Sequence, residues 1–562
     1  MVESGKGSGN DDVKAGGIGR AAGGASVTAP GATGTRVHDH NGGAEASNTS
    51  ADDLLAAMGY KAELVRTRST WHVAFMSFVL ASIPYGLATT LYYPLQGGGP
   101  VVVIWGWLMV SLIILCVAAS LGEITSVYPT AGGVYYQTFM LAPASWRRVA
   151  AYVCGWAFVV GNITITLAVQ FGTTLFFVAC VNVFESEPGV GVWQAETYQV
   201  FLTFLAITLF SNAVSAYGNR VLHHLDTFAV VWTFAGLIAI MVTILALAKG
   251  GRRSAGYVFG HFEPTSGWPA GWSFCVGLLH AAYATSSTGM IVSMCEEVES
   301  PATQVPRAMV ITVITNTIGG LLFLVPLMFV LPDLAELVAL PSGQPVPTII
   351  KSAVGSSGAT IALLLPLMVL AILCGIACTT AASRCTWAFA RDGAIPGSRY
   401  WKRVDPARDV PVNAMMLSLA VQIVLGAIYF GSSTAFNAFS GVGVITLTLS
   451  YAAPIAVSML EGRTQVKEGK FYLGNSLGWF CNIVAVGWSL LAVPLFCMPS
   501  YIPVTVTTVN YAPVVFVAFI AISSAWYYAW GRKNYRGPPT EQFVAGHAIG
   551  VSHTSTDSDR VE

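Results

Sequence analysis

Two short segments place helix-disrupting or hydroxyl side chains inside long apolar stretches of the sequence. In the first, a proline removes a backbone donor and a nearby glycine loosens the chain, so a helix is expected to unwind there. In the second, a tyrosine precedes four consecutive hydroxyl residues and a glycine. An interrupted helix exposes amide hydrogens at one broken end and carbonyl oxygens at the other, and these groups can bind a small ion or zwitterion. The candidate binding residues are Ile83, Pro84, Tyr85 and Gly86 in the first segment and Tyr283, Ala284, Thr285, Ser286 and Ser287 in the second.

Each segment alone also allows a simpler structure, namely a proline kink or an intact helix whose hydroxyls bond backwards to its own carbonyls. The two segments lie about 200 residues and five apolar stretches apart. Paired interruptions in corresponding helices of two inverted halves are typical of the central site of a transporter. The rings of Tyr85 and Tyr283 could attract an alkylammonium group through their π faces, or they could simply pack. The pairing favours a binding site at mid-membrane depth.

Five charged residues stand at the predicted inner ends of helices. Ion pairs among them could form an inner gate, although a solvated helix end is the simpler interpretation. This candidate gate consists of Glu123, Glu296, Glu297, Arg391 and Asp392.

The composition limits the kind of protein that can carry these residues. Of the 562 residues, 54% are apolar and only 10% are charged, with 28 Lys and Arg balanced by 28 Asp and Glu. Soluble proteins carry about 25% charged residues, so a soluble multidomain enzyme is excluded. No basic stripe predicts nucleic-acid binding, and no paired carboxylates or His-rich cluster predict an intramembrane enzyme or a cofactor.

Twelve apolar stretches have the length of about 20 residues that a helix needs to cross a bilayer. The sequence therefore predicts an all-α polytopic membrane protein. Placing both ends in the cytoplasm puts 24 Lys and Arg on the inner side and 4 on the outer side, as the positive-inside rule requires. The predicted spans are residues 71–94, 100–122, 149–182, 198–217, 226–248, 270–294, 309–331, 359–387, 412–430, 435–459, 477–497 and 511–530.

The regions outside the spans divide the chain further. Residues 1–50 are rich in Gly, Ala and Ser, which predicts a disordered cytoplasmic tail. Residues 51–70 form a juxtamembrane segment, residues 71–530 the twelve-helix transporter domain, and residues 531–562 a second disordered cytoplasmic tail.

Several motifs resemble those of a known transporter group. They are Gly97-Gly-Gly-Pro-Val, Glu123–Tyr136 (EITSVYPTAGGVYY), Glu296–Ala308 (EEVESPATQVPRA) and Phe389–Pro396 (FARDGAIP). The chain resembles fungal members of the amino acid–polyamine–organocation superfamily, in the amino acid/choline group that includes choline and GABA permeases. The resemblance implies two inverted five-helix repeats (spans 1–5 and 6–10) plus two peripheral helices, with spans 1 and 6 unwound. It also implies alternating access and suggests proton coupling.

The sequence thus predicts a secondary active transporter of a small nitrogenous solute, namely an amino acid, GABA, choline or a related amine. Its expected partners are this substrate, a proton as co-substrate and the lipid bilayer, without cofactor or nucleic acid. The alternatives are a transporter-like nutrient sensor and an exporter or importer of an amine-type secondary metabolite. The plasma membrane is the expected location, with the vacuolar or another internal membrane as alternatives.

Overall fold

The membrane-spanning helices account for most of the structure. The computed structural model describes residues 51–539, apart from residues 67, 188–189, 219–220, 432 and 506–508. In this part of the chain, twelve helices are long and apolar enough to cross a membrane, which confirms the predicted number. The predicted tail of residues 1–50 and residues 540–562 of the second tail lie outside the described residues. The helices are α1 Trp71–Thr90, α2 Val102–Val127, α3 Arg147–Val181, α4 Thr197–Tyr217, α5 His224–Leu247, α6 Ala270–Glu297, α7 Pro301–Phe329, α8 Ser357–Arg391, α9 Val412–Phe430, α10 Ala438–Leu460, α11 Asn475–Cys497 and α12 Ala512–Asn534.

Short elements connect these helices. Two antiparallel strands after α3 pair Glu185 with Gly191 and Glu187 with Val190. Several other connections contain short α-helices, which are Tyr92–Gly98, Gly133–Leu141, Ala255–Gly260, Leu334–Val338, Pro345–Val354 and Ser398–Trp401, and a short 3₁₀ helix, Gln465–Glu468, lies between α10 and α11.

Burial separates the central helices from those that face lipid. In α1 and α6, 89% of the most apolar window is buried, against 28% in α5 and 6% in α12. Apolar side chains such as Leu202, Val231 and Val517 are more than half exposed, as expected where hydrocarbon replaces water around the protein. The two helices that carry the candidate binding segments are therefore the two most enclosed ones.

Helix α1 is interrupted, although not at the predicted residues. Its first half is the helix Thr70–Ala81 and its second half is Ile83–Thr90, separated by Ser82 in a left-handed conformation (φ 39°, ψ 51°). The prediction that residues Ile83 to Gly86 unwind is wrong, since these residues are helical. Proline is favoured in the first turn of a helix because that turn needs no donor from it. Pro84 consequently lies in the first turn of the second half, and the break at Ser82 is two residues before it.

Helix α6 changes its geometry at the predicted run of hydroxyl residues. Two α-helical pieces, Ala270–Gly277 and Leu279–Thr285, are followed by a 3₁₀ helix over Ser286–Glu297. A 3₁₀ helix of twelve residues is unusually long, and such stretches within a longer helix often mark a hinge. The inverted relation between α1–α5 and α6–α10 stays a prediction.

The described chain ends lie on one face of the helix bundle. Arg68, just before α1, contacts Glu297 at the end of α6. Tyr535, just after α12, packs on Tyr152 near the start of α3, with their ring centroids 5.4 Å apart. We call this face the tail face. Tyr535 is buried, so the packed domain extends beyond the predicted boundary at residue 530.

Candidate functional site

The interruptions of α1 and α6 meet at a small internal cavity. Its volume is about 10 Å³, which is the space of a single water molecule. Six of the nine predicted binding residues line it, whereas Ile83, Pro84 and Thr285 do not. We call it the central cavity, and its lining comes from α1, α3, α6 and α8: Leu80, Ala81, Tyr85, Gly86, Ile165, Val169, Tyr283, Ala284, Ser286, Ser287 and Cys374.

The Leu80 carbonyl joins the two interrupted helices. In a continuous helix it would accept a hydrogen bond from residue 84, but Pro84 has no amide hydrogen. The Ser287 hydroxyl of α6 donates to this carbonyl instead, at 2.9 Å. The thiols of Cys374 and Cys378 on α8 also approach it, at 3.6 and 3.9 Å. Leu80 was not predicted, although its position four residues before a proline marks an unpaired carbonyl.

The other hydroxyls of this run donate hydrogen bonds to carbonyls of their own helix. Thr285, Ser286 and Thr288 each donate to a carbonyl three or four residues earlier, at 2.7–2.8 Å. This is the backward bonding that the sequence allowed as the simpler interpretation. Only Ser287 reaches across to α1, so it is the hydroxyl most directly placed between the two helices.

A second and larger cavity opens on the face opposite to the tail face. We call it the vestibule; its volume is about 620 Å³. Its described lining contains rings and amides, including Tyr92, Tyr93, Gln96 and Asn510, and no charged side chain. Tyr283 is the one described residue that lines both cavities, so its side chain forms the wall between them.

The hydroxyl of Tyr85 is already bound within the protein. It donates to the Val169 carbonyl at 2.8 Å and lies 2.9 Å from the Thr173 hydroxyl, both on α3. Its ring lies edge-on to Phe176 at 6.4 Å between centroids. The ring of Tyr85, rather than its hydroxyl, is therefore what a ligand in the central cavity would contact.

Tyr451 on α10 supports the hinge of α6 from the other side. Its hydroxyl donates to the Ser286 carbonyl at 3.0 Å, where α6 changes to a 3₁₀ helix. The ring passes directly over Gly289, since a Cβ atom there would lie 2.5 Å from it. The sequence analysis missed Tyr451, because nothing near it in the chain indicates this contact.

Glu297 is the centre of a buried charge network on the tail face. Its two oxygens accept from Arg68 at 3.2 Å and from Arg384 at 2.8 Å. Arg68 also pairs with Asp226 of α5 at 3.4 Å. The side chains of Arg68, Glu297 and Arg384 are at most 6% exposed. Arg384 interrupts an apolar stretch of α8, and an intramembrane charge is the sequence signal that could have identified it.

Glu296 and Asp392 form two further contacts next to this network. Arg391 donates two hydrogen bonds to Glu296, at 2.8 and 2.9 Å. The carboxylate of Asp392 accepts from the hydroxyls of Tyr60 at 2.9 Å and Tyr135 at 2.8 Å. Burial raises the pKa of Asp392 to about 6, although Arg391 and the two tyrosine hydroxyls act in the opposite direction. The juxtamembrane segment is thereby held against the end of α8.

Glu123 has different partners from the other four predicted gate residues. It pairs with Arg463 at 2.6 Å and accepts from the Leu473 amide at 2.8 Å, so it joins α2 to the segment between α10 and α11. The structure therefore brings Glu296 and Arg391 together and places Glu123 in a separate ion pair. Among the described residues, no group of three or more His, Cys, Asp or Glu could hold a metal ion.

Comparisons with known proteins agree with this architecture. The family model described as amino acid permease matches residues 69–519. A choline transporter of Saccharomyces cerevisiae is 30% identical over 482 residues, which cover 86% of this chain and 84% of the relative. A polyamine transporter of the same yeast is 28% identical, with 83% and 75% covered. Its GABA-specific permease is also 28% identical, with 88% and 87% covered.

Proposed function

Because the chain belongs to the amino acid permease family and is a secondary transporter of small nitrogenous solutes, we propose that it binds its substrate in the central cavity and carries it in symport with protons. One observation carries the location of the site. The interrupted parts of α1 and α6 face each other there, at mid-length of the two most buried helices. The site residues are those that line the cavity, together with Ile83, Pro84 and Thr285, which shape it from the adjoining turns.

The chemistry of the cavity suits a substrate with an amine. The first half of α1 ends in carbonyl oxygens, which attract an ammonium group, and the second half begins with amide hydrogens, which attract a carboxylate. No charged side chain is present in the described lining, so the backbone, Ser287 and the rings of Tyr85 and Tyr283 would supply the contacts. These groups fit an amino acid, GABA, choline or a related amine. The relatives named for choline, polyamines and GABA support this substrate class.

One face of the protein is open and the other is closed, which supports alternating access. The vestibule leads toward the central cavity from one face, with Tyr283 between them. On the tail face, the contacts of Glu296, Glu297, Arg391 and Asp392 close the bundle. We propose that these four residues, joined by Arg68 and Arg384, form the gate that opens in the other half of the cycle. Glu123 braces the segment between α10 and α11 beside that gate.

The charge distribution supports a cytoplasmic tail face, and the location that we propose is the plasma membrane. A cytoplasmic tail face would place 24 of 28 Lys and Arg inside the cell, and the vestibule would then open outward. In intact cells, a cysteine introduced at Ser342 in the vestibule should react with an impermeant maleimide, whereas one introduced at Gly474 should not. Labelling of the cysteine at residue 474 but not of the one at residue 342 would show that the orientation is the opposite of the proposed one.

Uptake of labelled candidates tests the proposed function directly. Expressed in a permease-deficient yeast, the protein should accumulate at least one of the amino acids, GABA, choline or polyamines. A protonophore should abolish this accumulation, and sodium should have no effect. Gly86→Leu provides a matched inactive control. A Cβ atom added at residue 86 would lie 3.3 Å from the Cβ of Ala284, so the rest of a leucine side chain would fill the central cavity. Accumulation of none of these solutes would contradict the proposed substrate class. Dependence on sodium rather than on protons would contradict the proposed proton symport.

A further inference from the structure

Two cysteines of α8 lie together at the interruption of α1. Cys374 and Cys378 are one helical turn apart, and their sulfur atoms are separated by 4.0 Å. Both side chains are buried and both approach the Leu80 carbonyl. Cys374 also lines the central cavity. Cys378 does not line it, and the proposed substrate contacts use neither thiol.

A pair of neighbouring thiols has a chemistry that a single buried thiol lacks. Sulfur ligands select soft, thiophilic centres over hard cations such as sodium or magnesium. Two thiols on one rigid helix face can both bond to such a centre, and the second bond forms intramolecularly once the first is made. We propose that Cys374 and Cys378 form a dithiol site for a soft thiophilic ligand, of which trivalent arsenic is the type, and that its occupation blocks transport.

The reaction with phenylarsine oxide shows what the site requires. The arsenic–oxygen bond is replaced by two arsenic–sulfur bonds, while both thiol protons leave with the oxygen as one water molecule. Arsenic stays trivalent, so no oxidant or reductant takes part. Because the second bond closes a ring, the double adduct should resist a competing monothiol by roughly 100-fold or more relative to a single one. An added dithiol reagent should still remove the double adduct, because it can replace both sulfur ligands.

The position of the pair explains why its occupation would block transport. The reagent would reach Cys374 through the vestibule by passing the side chain of Tyr283. Once bound, it would occupy the central cavity and push its walls apart, because a phenyl ring is several times larger than the cavity volume of about 10 Å³. It would also displace the thiols from Leu80, the carbonyl that links α1 to α6 through Ser287. This blocking step rests on the proposed function, whereas formation of the adduct does not.

The test measures the adduct and transport separately. Purified full-length protein is treated with phenylarsine oxide, washed with a monothiol and examined by intact mass, in the wild type and in the Cys374→Ser and Cys378→Ser variants. Serine keeps the size of the side chain and its hydrogen-bonding ability. Cys116→Ser is the matched control, because Cys116 is a free cysteine of another helix, α2, and does not line the central cavity.

The wild type and Cys116→Ser should keep an adduct that only a dithiol removes, and both serine variants at the site should lose it. An unchanged adduct in either of these variants would overturn the site. In cells, phenylarsine oxide should stop uptake by the wild type and Cys116→Ser, and saturating substrate should protect them. Cys378→Ser, which lies outside the lining of the central cavity, should keep transporting in the presence of the reagent. An adduct at the site without loss of uptake would overturn the blocking step. If the wild type transports none of the candidate solutes, the proposed function is contradicted. The mass measurement still decides whether the dithiol site exists, because it does not depend on transport.

Discussion

Replacing Glu297 by glutamine should open the tail face. The substitution keeps the size of the side chain but removes the negative charge that lies between Arg68 and Arg384. Both guanidinium groups would then remain buried without their shared carboxylate. Removing one partner of a buried ion pair costs about 3–5 kcal/mol. Asp226 still pairs with Arg68 at 3.4 Å, so the lower end, about 3 kcal/mol, applies here.

This cost falls on the closed tail face alone, because an open tail face would expose these groups to water. About 3 kcal/mol corresponds to a shift of roughly 100-fold in the equilibrium toward the state with an open tail face and a closed vestibule. The assay uses Ser440→Cys in the vestibule as a reporter, in purified protein treated with a bulky maleimide. The reporter should react markedly more slowly in Glu297→Gln than in the otherwise unchanged protein.

The matched control is Glu185→Gln, which removes the same charge from a partly exposed pair with Lys351. Exposed pairs contribute about 0–1 kcal/mol, so the reporter should react at its original rate. Gel filtration of each variant establishes that the protein is folded. Equal reaction rates in folded Glu297→Gln and in the control would refute the assignment of Glu297 to the gate.

The remaining predictions concern the central cavity, the α6 hinge and pH. Tyr283→Ala removes the wall between the cavities and should weaken substrate binding by about 1–2 kcal/mol if the ring faces a cation, and unchanged affinity in a binding titration would contradict this. Gly289→Ala places a methyl group 2.5 Å from the Tyr451 ring and should lower the free energy of unfolding by about 1–3 kcal/mol. Tyr451→Phe, which removes one hydrogen bond, should lower it by about 1 kcal/mol. Since burial raises the pKa of Asp392 to about 6, protonation favours the closed tail face, and this advantage declines as pH rises from about 4 to 6. The rate of vestibule labelling in the wild type, divided by the rate in Asp392→Asn at the same pH, should therefore fall over that range.

The number of membrane helices and the approximate position of their interruptions are properties of the sequence itself. A helix must bury about 20 apolar residues to cross the bilayer, and no tertiary contact is needed to recognise such a stretch. Proline likewise removes a donor wherever it stands, which is why Pro84 indicated an interruption of α1. The position of the break was nevertheless predicted incorrectly, since Pro84 lies in the first turn of the second helical piece and Ser82 takes the left-handed conformation.

The partners of the charged and polar groups were decided by tertiary structure. Glu297 meets Arg384, 87 residues later, and Glu123 meets Arg463, 340 residues later. The spacing of Cys374 and Cys378 is visible in the sequence, but their convergence on the Leu80 carbonyl depends on how α8 packs against α1. Buried polar groups must find partners wherever the fold brings a complementary group, whatever the distance along the chain. For that reason the helices could be predicted from residue types alone, whereas the contacts that join them required their packed arrangement.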